Sequence, residues 1–286
     1  MSDSAGAVAL PGFDADTAVE DLGGGRFAAE MSERWWVGKG PNGGFVSAVI
    51  LRAIQAVGGL ERAPRSLTVH FQRSPSPGPV ELSVEVEREG GRATFLSARM
   101  EQQGEVQATA QAVLSENWGD GGYSEARMPD AGEPGELHIA DPDATPGMPK
   151  MFQNYRARPA LGEPAFSGGE PYNGAWIRTR EPRLLDAPLA ATLLDTWFPA
   201  PFVRLERPHA APTIDYTVHF RSPLPPPAAT PEDPYLVVFK SSLARHGFFE
   251  EDGELWSADG VLLAQSRQLA LLLDPAGATG AADSAL

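Results

Sequence analysis

Leu67-Thr-Val-His-Phe-Gln-Arg-Ser-Pro75 returns as Tyr216-Thr-Val-His-Phe-Arg-Ser-Pro223, about half the chain length further on. The two segments share Thr-Val-His-Phe and then Arg-Ser-Pro, and Gln72 is an extra residue in the first copy. Each copy follows a helix-like stretch and precedes alternating segments. Because self-similarity at a fixed spacing is typical of repeat architectures, the pattern predicts one folding unit written twice.

The composition is that of a globular protein. The chain has 286 residues, of which 42% are hydrophobic, enough for one large or two ordinary domains. Cysteine is absent, which excludes disulfides, thiolate nucleophiles and cysteine-ligated metals. We expect neither a metal nor another cofactor.

The charge balance argues against nucleic acid as a partner. The chain carries 38 acidic and 23 basic residues, a net charge of -15, and no basic patch stands out. No stretch of eighteen apolar residues occurs, and the first twelve residues do not form a signal peptide, so we expect no membrane span and a cytoplasmic location.

An acidic segment divides the chain. Residues 119–149 contain seven acidic residues and one basic residue among many Gly and Pro, a composition typical of a solvated linker. The predicted domains are therefore an N-terminal repeat at 12–118, the linker at 119–149, a C-terminal repeat at 150–274 and a disordered tail at 275–286.

Two helices are predicted. From Phe45 onward apolar residues recur at helical spacing, which predicts a helix over Gly43–Ala56, and a second helix is predicted over about Pro188–Trp197. Asn42 and Asp186 suit the helix entries, because a side-chain oxygen there can accept a backbone N–H of the first turn.

Alternating segments predict antiparallel strands. Val80–Glu87 places Val80, Leu82, Val84 and Val86 on one face and polar residues on the other. Further strands are predicted over Ala93–Gln103, Val106–Ser115, Met151–Arg158, Ala175–Arg180, Thr213–Phe220, Pro234–Leu243, Phe248–Trp256 and Val261–Leu272. One helix among several strands in each half indicates an α+β fold with a helix wrapped by antiparallel strands.

Several short motifs occur along the chain in an order that is typical of a known protein family. They are Asn42-Gly-Gly-Phe45, Val69-His-Phe71 with Arg73 and Pro75, Arg88-Glu-Gly-Gly-Arg92, Trp176-Ile-Arg178, Gly247-Phe248 and Asp259-Gly-Val261. Over most of its length the chain thereby resembles the acyl-CoA thioesterase II family. The resemblance implies a double hotdog, two tandem repeats each of a curved antiparallel sheet around one central helix, and hydrolysis of acyl-CoA thioesters.

The resemblance also implies the site. The family uses an Asp, a Thr and a Gln around a hydrolytic water, and the matching residues here are Asp195, Thr213 and Gln268. Asp195 is the one able to act as a base, while the other two can orient water by hydrogen bonds. Strand alternation puts Gln268 on a face of mostly small and apolar residues, where its amide needs a partner.

Asp215 is a rival base, because strand parity puts it on the same face as Thr213. The repeat itself argues for a single site built by both halves, with the water-handling residues in the second copy and the glycine-rich helix entry in the first. Against Thr213 the first copy has Pro64, and against Gln268 it has about Ala112.

Substrate contacts are predicted more broadly. Gly43 and Gly44 could offer helix N-terminal N–H groups to an oxyanion, or could serve only close packing. Arg88, Arg92 and Arg245 could meet the phosphates of coenzyme A, or could be solvated hairpin residues.

Other conspicuous residues have plainer explanations. His70 and His219 recur at matching positions, which favours a structural strand position over a metal site. Trp35, Trp36 and Trp197 could line an acyl pocket or fill the core.

Two further functions stay open at this stage. One is a hotdog enoyl-CoA hydratase or dehydratase, although its Gly-Asp-x-Asn-Pro-x-His motif is missing. The other is a non-catalytic acyl-CoA-binding protein. Because sheet edges of this kind commonly pair, we also expect a homo-oligomer.

Overall fold

Strands make up most of the regular structure in the computed structural model, which describes residues 12–59, 61–119, 121–145 and 147–274. The strands of the first half are β1 (Glu20–Gly23), β2 (Arg26–Met31), β3 (Trp36–Val37), β4 (Gly40–Pro41), β5 (Ala63–Phe71), β6 (Gly78–Glu89), β7 (Ala93–Gln102) and β8 (Glu105–Ser115). Those of the second half are β9 (Tyr155–Gly162), β10 (Tyr172–Thr179), β11 (Thr213–Phe220), β12 (Tyr235–Lys240), β13 (Ala244–Arg245), β14 (Phe248–Ser257) and β15 (Leu262–Leu271).

Helices are few and short apart from one. They are α1 (Phe13–Asp16), α2 (Gly43–Gly58), α3 (Ala187–Leu193) and α4 (Pro201–Arg204), with 3-10 turns at Glu33–Trp35 and Lys150–Asn154. No helix within the described ranges is long and apolar enough to cross a membrane. The predicted tail 275–286 lies outside the described residues.

One large antiparallel sheet joins the two halves. In the described part of the chain it has thirteen strands, in the order β1-β2-β6-β7-β8-β5-β11-β15-β14-β12-β10-β9 with β13 beside β14. The two copies of the repeated segment, β5 and β11, are neighbours at its centre. Thr68 lies opposite Thr217, the equivalent residue of the other copy, and their hydroxyl oxygens are 3.0 Å apart.

The predicted helix over Gly43–Ala56 is confirmed as α2, two residues longer at its end. Asn42 caps it, since its Oδ1 accepts the backbone N–H of Phe45 at 2.9 Å. Most of α2 is buried against β6, β7 and α3. A Cβ on Gly44 would lie 2.9 Å from the backbone of Thr192, so glycine lets the start of α2 approach the end of α3 closely.

The second helix ends earlier than predicted. Asp186 caps α3 through the backbone N–H of Leu189, as expected, but the helix stops at Leu193 instead of Trp197. The backbone N–H of Asp195 reaches the carbonyl of Thr192 in a tightened turn, and Pro199 disfavours helix at the residue before it. Asp195 therefore lies just beyond the helix.

Two strand predictions need correction. The predicted strand Met151–Arg158 begins only at Tyr155, because Lys150–Asn154 form a 3-10 turn in which Met151 and Phe152 are both buried. Val86 was predicted to share the buried face of β6, yet it is 45% exposed beside an irregularity in the register of β6 and β7.

The acidic segment 119–149 contacts the second half. Ala131 is buried, and Met128 and Leu137 pack with it against an apolar cluster that contains Trp176 and Trp256. The domain boundaries stay predictions. The main core lies elsewhere, around α2 and α3 on the inner face of the sheet.

Candidate active site

Asp195 lies where α3 ends and α2 begins. Its Oδ2 accepts hydrogen bonds from the backbone N–H of Gly44 at 2.8 Å and from Asn42 Nδ2 at 2.9 Å. Asn42 Nδ2 also donates to the backbone carbonyl of Asp195 at 2.6 Å. The unpaired N–H groups and the dipole of a helix N-terminus favour an anion, so α2 of the first half holds a carboxylate of the second.

The other two predicted residues join Asp195 through one amide. Thr213 Oγ1 donates to Gln268 Oε1 at 2.7 Å, and Gln268 Nε2 lies 3.4 Å from Asp195 Oδ1. Neighbouring strands β11 and β15 provide Thr213 and Gln268. The structure thus brings Asp195, Thr213 and Gln268 together in one cluster.

A fourth polar residue, Glu251, belongs to the cluster and was missed. Its Oε1 accepts Gln268 Nε2 at 2.8 Å, its Oε2 accepts the backbone N–H of Ala200, and it is 3% exposed. A signal for it existed in the alternation of β14, where Phe249, Glu251 and Leu255 fall on one face. A carboxylate in an otherwise inward-facing set indicates a buried, partnered group.

Burial changes the acidity of both carboxyl groups. It raises the pKa of Asp195 to about 6, against the opposing effect of the N–H donors from Gly44, Gln268, Asn42 and Gly43. It raises the pKa of Glu251 to about 8, with the Ala200 and Gln268 donors opposing and the Asp195 charge adding to the rise. Asp195 is therefore the stronger acid of the pair and the one ionised at neutral pH.

The expectation that Thr213 and Asp215 share a strand face is wrong. The register of β11 against β15 shifts between them, so Thr213 lies opposite Ala270 whereas Asp215 lies opposite Leu269. Opposed residues share a face, and Ala270 is on the face of Gln268. Asp215 therefore lies on the other side of the sheet from the Asp195 cluster.

The two glycines at the start of α2 meet Asp195 rather than open space. Gly44 donates its N–H to the carboxylate, and a Cβ on Gly43 would lie 3.1 Å from Asp195 Oδ2 and 3.2 Å from the ring of Phe71. The Gly44 N–H, one of the predicted oxyanion donors, is thus occupied by the carboxylate.

The predicted arginines separate into two places. Arg88 and Arg92 are exposed at the β6–β7 hairpin, and the strands β8, β5 and β11 lie between β7 and β15. Arg245 lines an open cleft of about 220 Å³ with His209, His246, Phe248 and other residues. The cleft is at the end of β15 that follows Gln268, since Leu272 also lines it.

Histidines and tryptophans divide between surface and core. His70 and His219 are exposed on β5 and β11. Trp35 is a core residue, stacked on Phe45 with ring centroids 5.0 Å apart and donating to Asp16. Trp36 is partly buried against the core. Trp197, two residues after Asp195, is partly buried and packs edge-on against Phe152.

Solved structures of similar shape define the class. A conserved protein of unknown function with a hot dog fold from Alicyclobacillus acidocaldarius is 31% identical, with a TM-score of 0.79 over 92% of this chain and 98% of that one. A proposed thioesterase II from Thermobifida fusca is 22% identical (TM-score 0.76, 93% and 99% covered), and the acyl-CoA thioesterase II TesB2 from Mycobacterium marinum is 20% identical (0.74, 93% and 99%). The large antiparallel sheet with few helices is a hotdog fold.

The sequence matches narrow this class to one family. Residues 32–115 match the family model of the acyl-CoA thioesterase N-terminal domain, and residues 127–272 match that of the C-terminal domain. The chain belongs to the acyl-CoA thioesterase family, a family of thioester hydrolases. None of the curated proteins compared with the chain matches it.

Proposed function

We propose that this protein hydrolyses acyl-CoA thioesters to a free acid and coenzyme A, with Asp195 as base and Thr213 and Gln268 positioning the water. The observation that carries the proposal is that the two oxygens of the Asp195 carboxylate differ in their hydrogen bonds. Oδ2 accepts two short hydrogen bonds, from Asn42 and Gly44, whereas the contact of Oδ1 with Gln268 Nε2 is long, at 3.4 Å. Oδ1 is thus the oxygen with capacity left for a water proton.

The bond changes follow from this placement. A water beside Oδ1 gives its proton to Asp195 while its oxygen bonds to the thioester carbonyl carbon. The electron pair pushed onto the carbonyl oxygen returns as the C–S bond breaks and the thiolate leaves. The proton on Asp195 then passes to the thiolate, which restores the carboxylate without a covalent enzyme intermediate.

The partners of the water are the free lone pairs of Thr213 and Gln268. Thr213 donates its hydroxyl proton to Gln268 Oε1, so its hydroxyl oxygen can accept a hydrogen bond from the water. Gln268 Oε1 keeps a second lone pair for the same purpose. Water has two protons, so Asp195 takes one and one of these two acceptors takes the other, which directs a lone pair of the water oxygen toward an incoming carbonyl carbon.

We also propose that the fold is a double hotdog. The sheet order β2-β6-β7-β8-β5 matches the order β10-β12-β14-β15-β11 strand for strand along the chain. The first strand of each set is followed by a helix, α2 in the first set and α3, with the short α4 after it, in the second. The site then lies at the joint, with Asn42 and Gly44 from the first unit and the remaining residues from the second.

Coenzyme A is expected to place its phosphates at the cleft lined by Arg245. The cleft begins about four residues beyond Gln268 on β15, and strand geometry makes this roughly 13 Å. Arg245, His209 and His246 give it cationic or protonatable groups suited to phosphate oxygens.

The homo-oligomer predicted from the sequence stays a proposal. Among the described residues, strand β1 ends the sheet order on one side, and its outer edge can pair with another copy. Light scattering of the purified chain measures its mass directly, and a monomer at all concentrations would contradict the proposal.

The test of the function is thiol release from a series of acyl-CoA chain lengths. The wild type is expected to turn over at least one, and Asp195→Asn is expected to lower kcat by about 10²–10⁴-fold, the usual contribution of a general base. Asp215→Asn is the matched control and should stay near wild type. No turnover of any acyl-CoA would favour a binding protein, and loss in Asp215→Asn alone would assign the base to Asp215.

A further inference from the structure

Glu251 is a buried carboxyl group that has no cationic partner among the described residues. It lies on β14 directly opposite Gln268 of β15. Its two oxygens accept N–H groups from Gln268 and Ala200, and within the described residues it forms no salt bridge. Keeping such a group in the interior disfavours its charged form, so a role beyond packing is needed to account for it.

The contacts of the Gln268 amide bear on which way it points. The amide nitrogen lies between two carboxyl groups, 2.8 Å from Glu251 Oε1 and 3.4 Å from Asp195 Oδ1. An amide oxygen facing the Asp195 carboxylate, or Glu251 in its ionised form, would be repelled, so the nitrogen takes this side and Oε1 turns to Thr213. Of the two contacts on nitrogen, the one to Glu251 is the shorter and therefore the stronger.

We propose that Glu251 is a positioning residue that holds the Gln268 amide with its oxygen toward Thr213 and the reacting water. The inference rests on the proposed function, because the water is the one that Asp195 activates. Glu251 itself touches neither water nor substrate in this scheme; it acts through Gln268.

The strength of the hydrogen bond from the Gln268 amide to Glu251 depends on pH, because it depends on whether Glu251 is charged. Burial and the charge of Asp195 bring the pKa of Glu251 to about 8, so its ionised fraction rises between pH 7 and 9. The titratable groups facing it are Asp195 after α3, Tyr216 on β11 and Glu250 on its own strand. A carboxylate accepts the Gln268 N–H more strongly than a carboxylic acid does, so kcat should keep rising through this range.

The contribution of Glu251 to folding stability decreases as the pH rises, opposite to the expected change in kcat. The pKa of Glu251 in the folded protein, about 8, is above its ordinary value of 4.5. Its contribution to stability is therefore fully present below about pH 4.5 and is lost as the pH rises through 8, because the folded chain holds a proton that the unfolded chain releases.

The decisive variant is Glu251→Gln. The new side-chain amide has one oxygen and one NH₂ group, so it cannot accept from both Gln268 Nε2 and the backbone N–H of Ala200. The Gln268 amide is then no longer held in a single orientation. We expect kcat to fall about tenfold with KM within twofold of wild type, and the rise in kcat above pH 7 to disappear. Asp252→Asn is the matched control, since its carboxylate lies on the exposed side of the same strand paired with Arg267.

A double variant separates positioning from other roles. In a Gln268→Ala background, Glu251→Gln should lower kcat by no more than twofold, because the residue through which it acts is gone. A kcat of Glu251→Gln within twofold of wild type at every pH, or a further tenfold loss in the Gln268→Ala background, would overturn the proposal.

Glu251→Asp is the second variant, for the case that Glu251→Gln does not fold. It keeps the charge but shortens the side chain by one methylene, which moves the carboxylate away from Gln268. We expect a lower kcat that still rises above pH 7, and a wild-type kcat would overturn the proposal. A wild type inactive on every acyl-CoA is a failure of the proposed function, whereas an active wild type with unaffected Glu251 variants is a failure of this inference alone.

Discussion

The carboxylate oxygen Oδ2 of Asp195 lies 2.8 Å from the backbone nitrogen of Gly44, 151 residues away along the chain. This contact joins the end of the second-half helix to the start of the first-half helix. Because the proposed base is held by donors from the other half, neither half contains all residues of the proposed site.

The pH dependence of turnover should report the ionisation of Asp195. Its pKa is raised to about 6 by burial, and only the carboxylate can accept the water proton, so kcat should fall about tenfold per unit below pH 6. Measuring kcat from pH 4.5 to 7.5 with saturating acyl-CoA locates the midpoint, and a midpoint near 4 would contradict a base with the raised pKa of Asp195.

The ionisation of Asp195 should also affect how the free energy of unfolding depends on pH. The folded pKa of Asp195 is above its ordinary 3.8, so its contribution to stability is largest at acidic pH and is lost as the pH rises through about 6. Urea unfolding at several pH values measures this. Asp195→Asn should remove that component of the slope, and an unchanged slope in the variant would refute the assignment.

Gly44→Ala should destabilise the fold. The added Cβ would meet the backbone of Thr192 at 2.9 Å, where neither helix can yield easily, and overpacking of this kind costs about 1–3 kcal/mol. Gly43→Ala meets side-chain atoms of Asp195 and Phe71 instead, so it should lower kcat more than stability. Gly91→Ala, with open space around it, is the control for both in thermal unfolding and activity.

Thr213→Val should lower kcat about tenfold with little change in KM, since it keeps the shape but removes the hydrogen bond to Gln268 Oε1. Thr213→Ser keeps the hydroxyl and should retain most activity. Thr217→Val, on the same strand but paired with Thr68, controls for loss of a strand hydroxyl. Equal activity of Thr213→Val and Thr217→Val would remove Thr213 from the site.

Arg245→Ala should raise KM for acyl-CoA about five- to tenfold and leave kcat unchanged, because it removes a charged hydrogen bond to a phosphate. An acyl-pantetheine thioester lacks the nucleotide phosphates, so the same variant should hydrolyse it like wild type. Arg92→Ala is the matched control at the distant hairpin. An equal rise in KM for both substrates would mean that Arg245 acts on the fold and not on phosphate.

Local patterns in the sequence were enough for much of the fold. The repeated Thr-Val-His-Phe segment, the apolar spacing of α2 with its Asn42 cap, and the inward face of Gln268 were all predicted. These features depend on neighbours a few residues away, through helical or strand periodicity and capping. The family resemblance added Asp195, Thr213 and Gln268 as a set.

Only the tertiary structure decided how these pieces meet. The register shift that turns Asp215 away from Thr213, the early end of α3 and the occupation of the Gly44 N–H by Asp195 all depend on contacts between distant segments. The alternation of β14 points Glu251 inward, but the partners that make a buried carboxyl group tolerable come from distant segments, β15 and the loop before α4. Periodicity determines which face a residue occupies, whereas packing between strands and helices determines what that face meets.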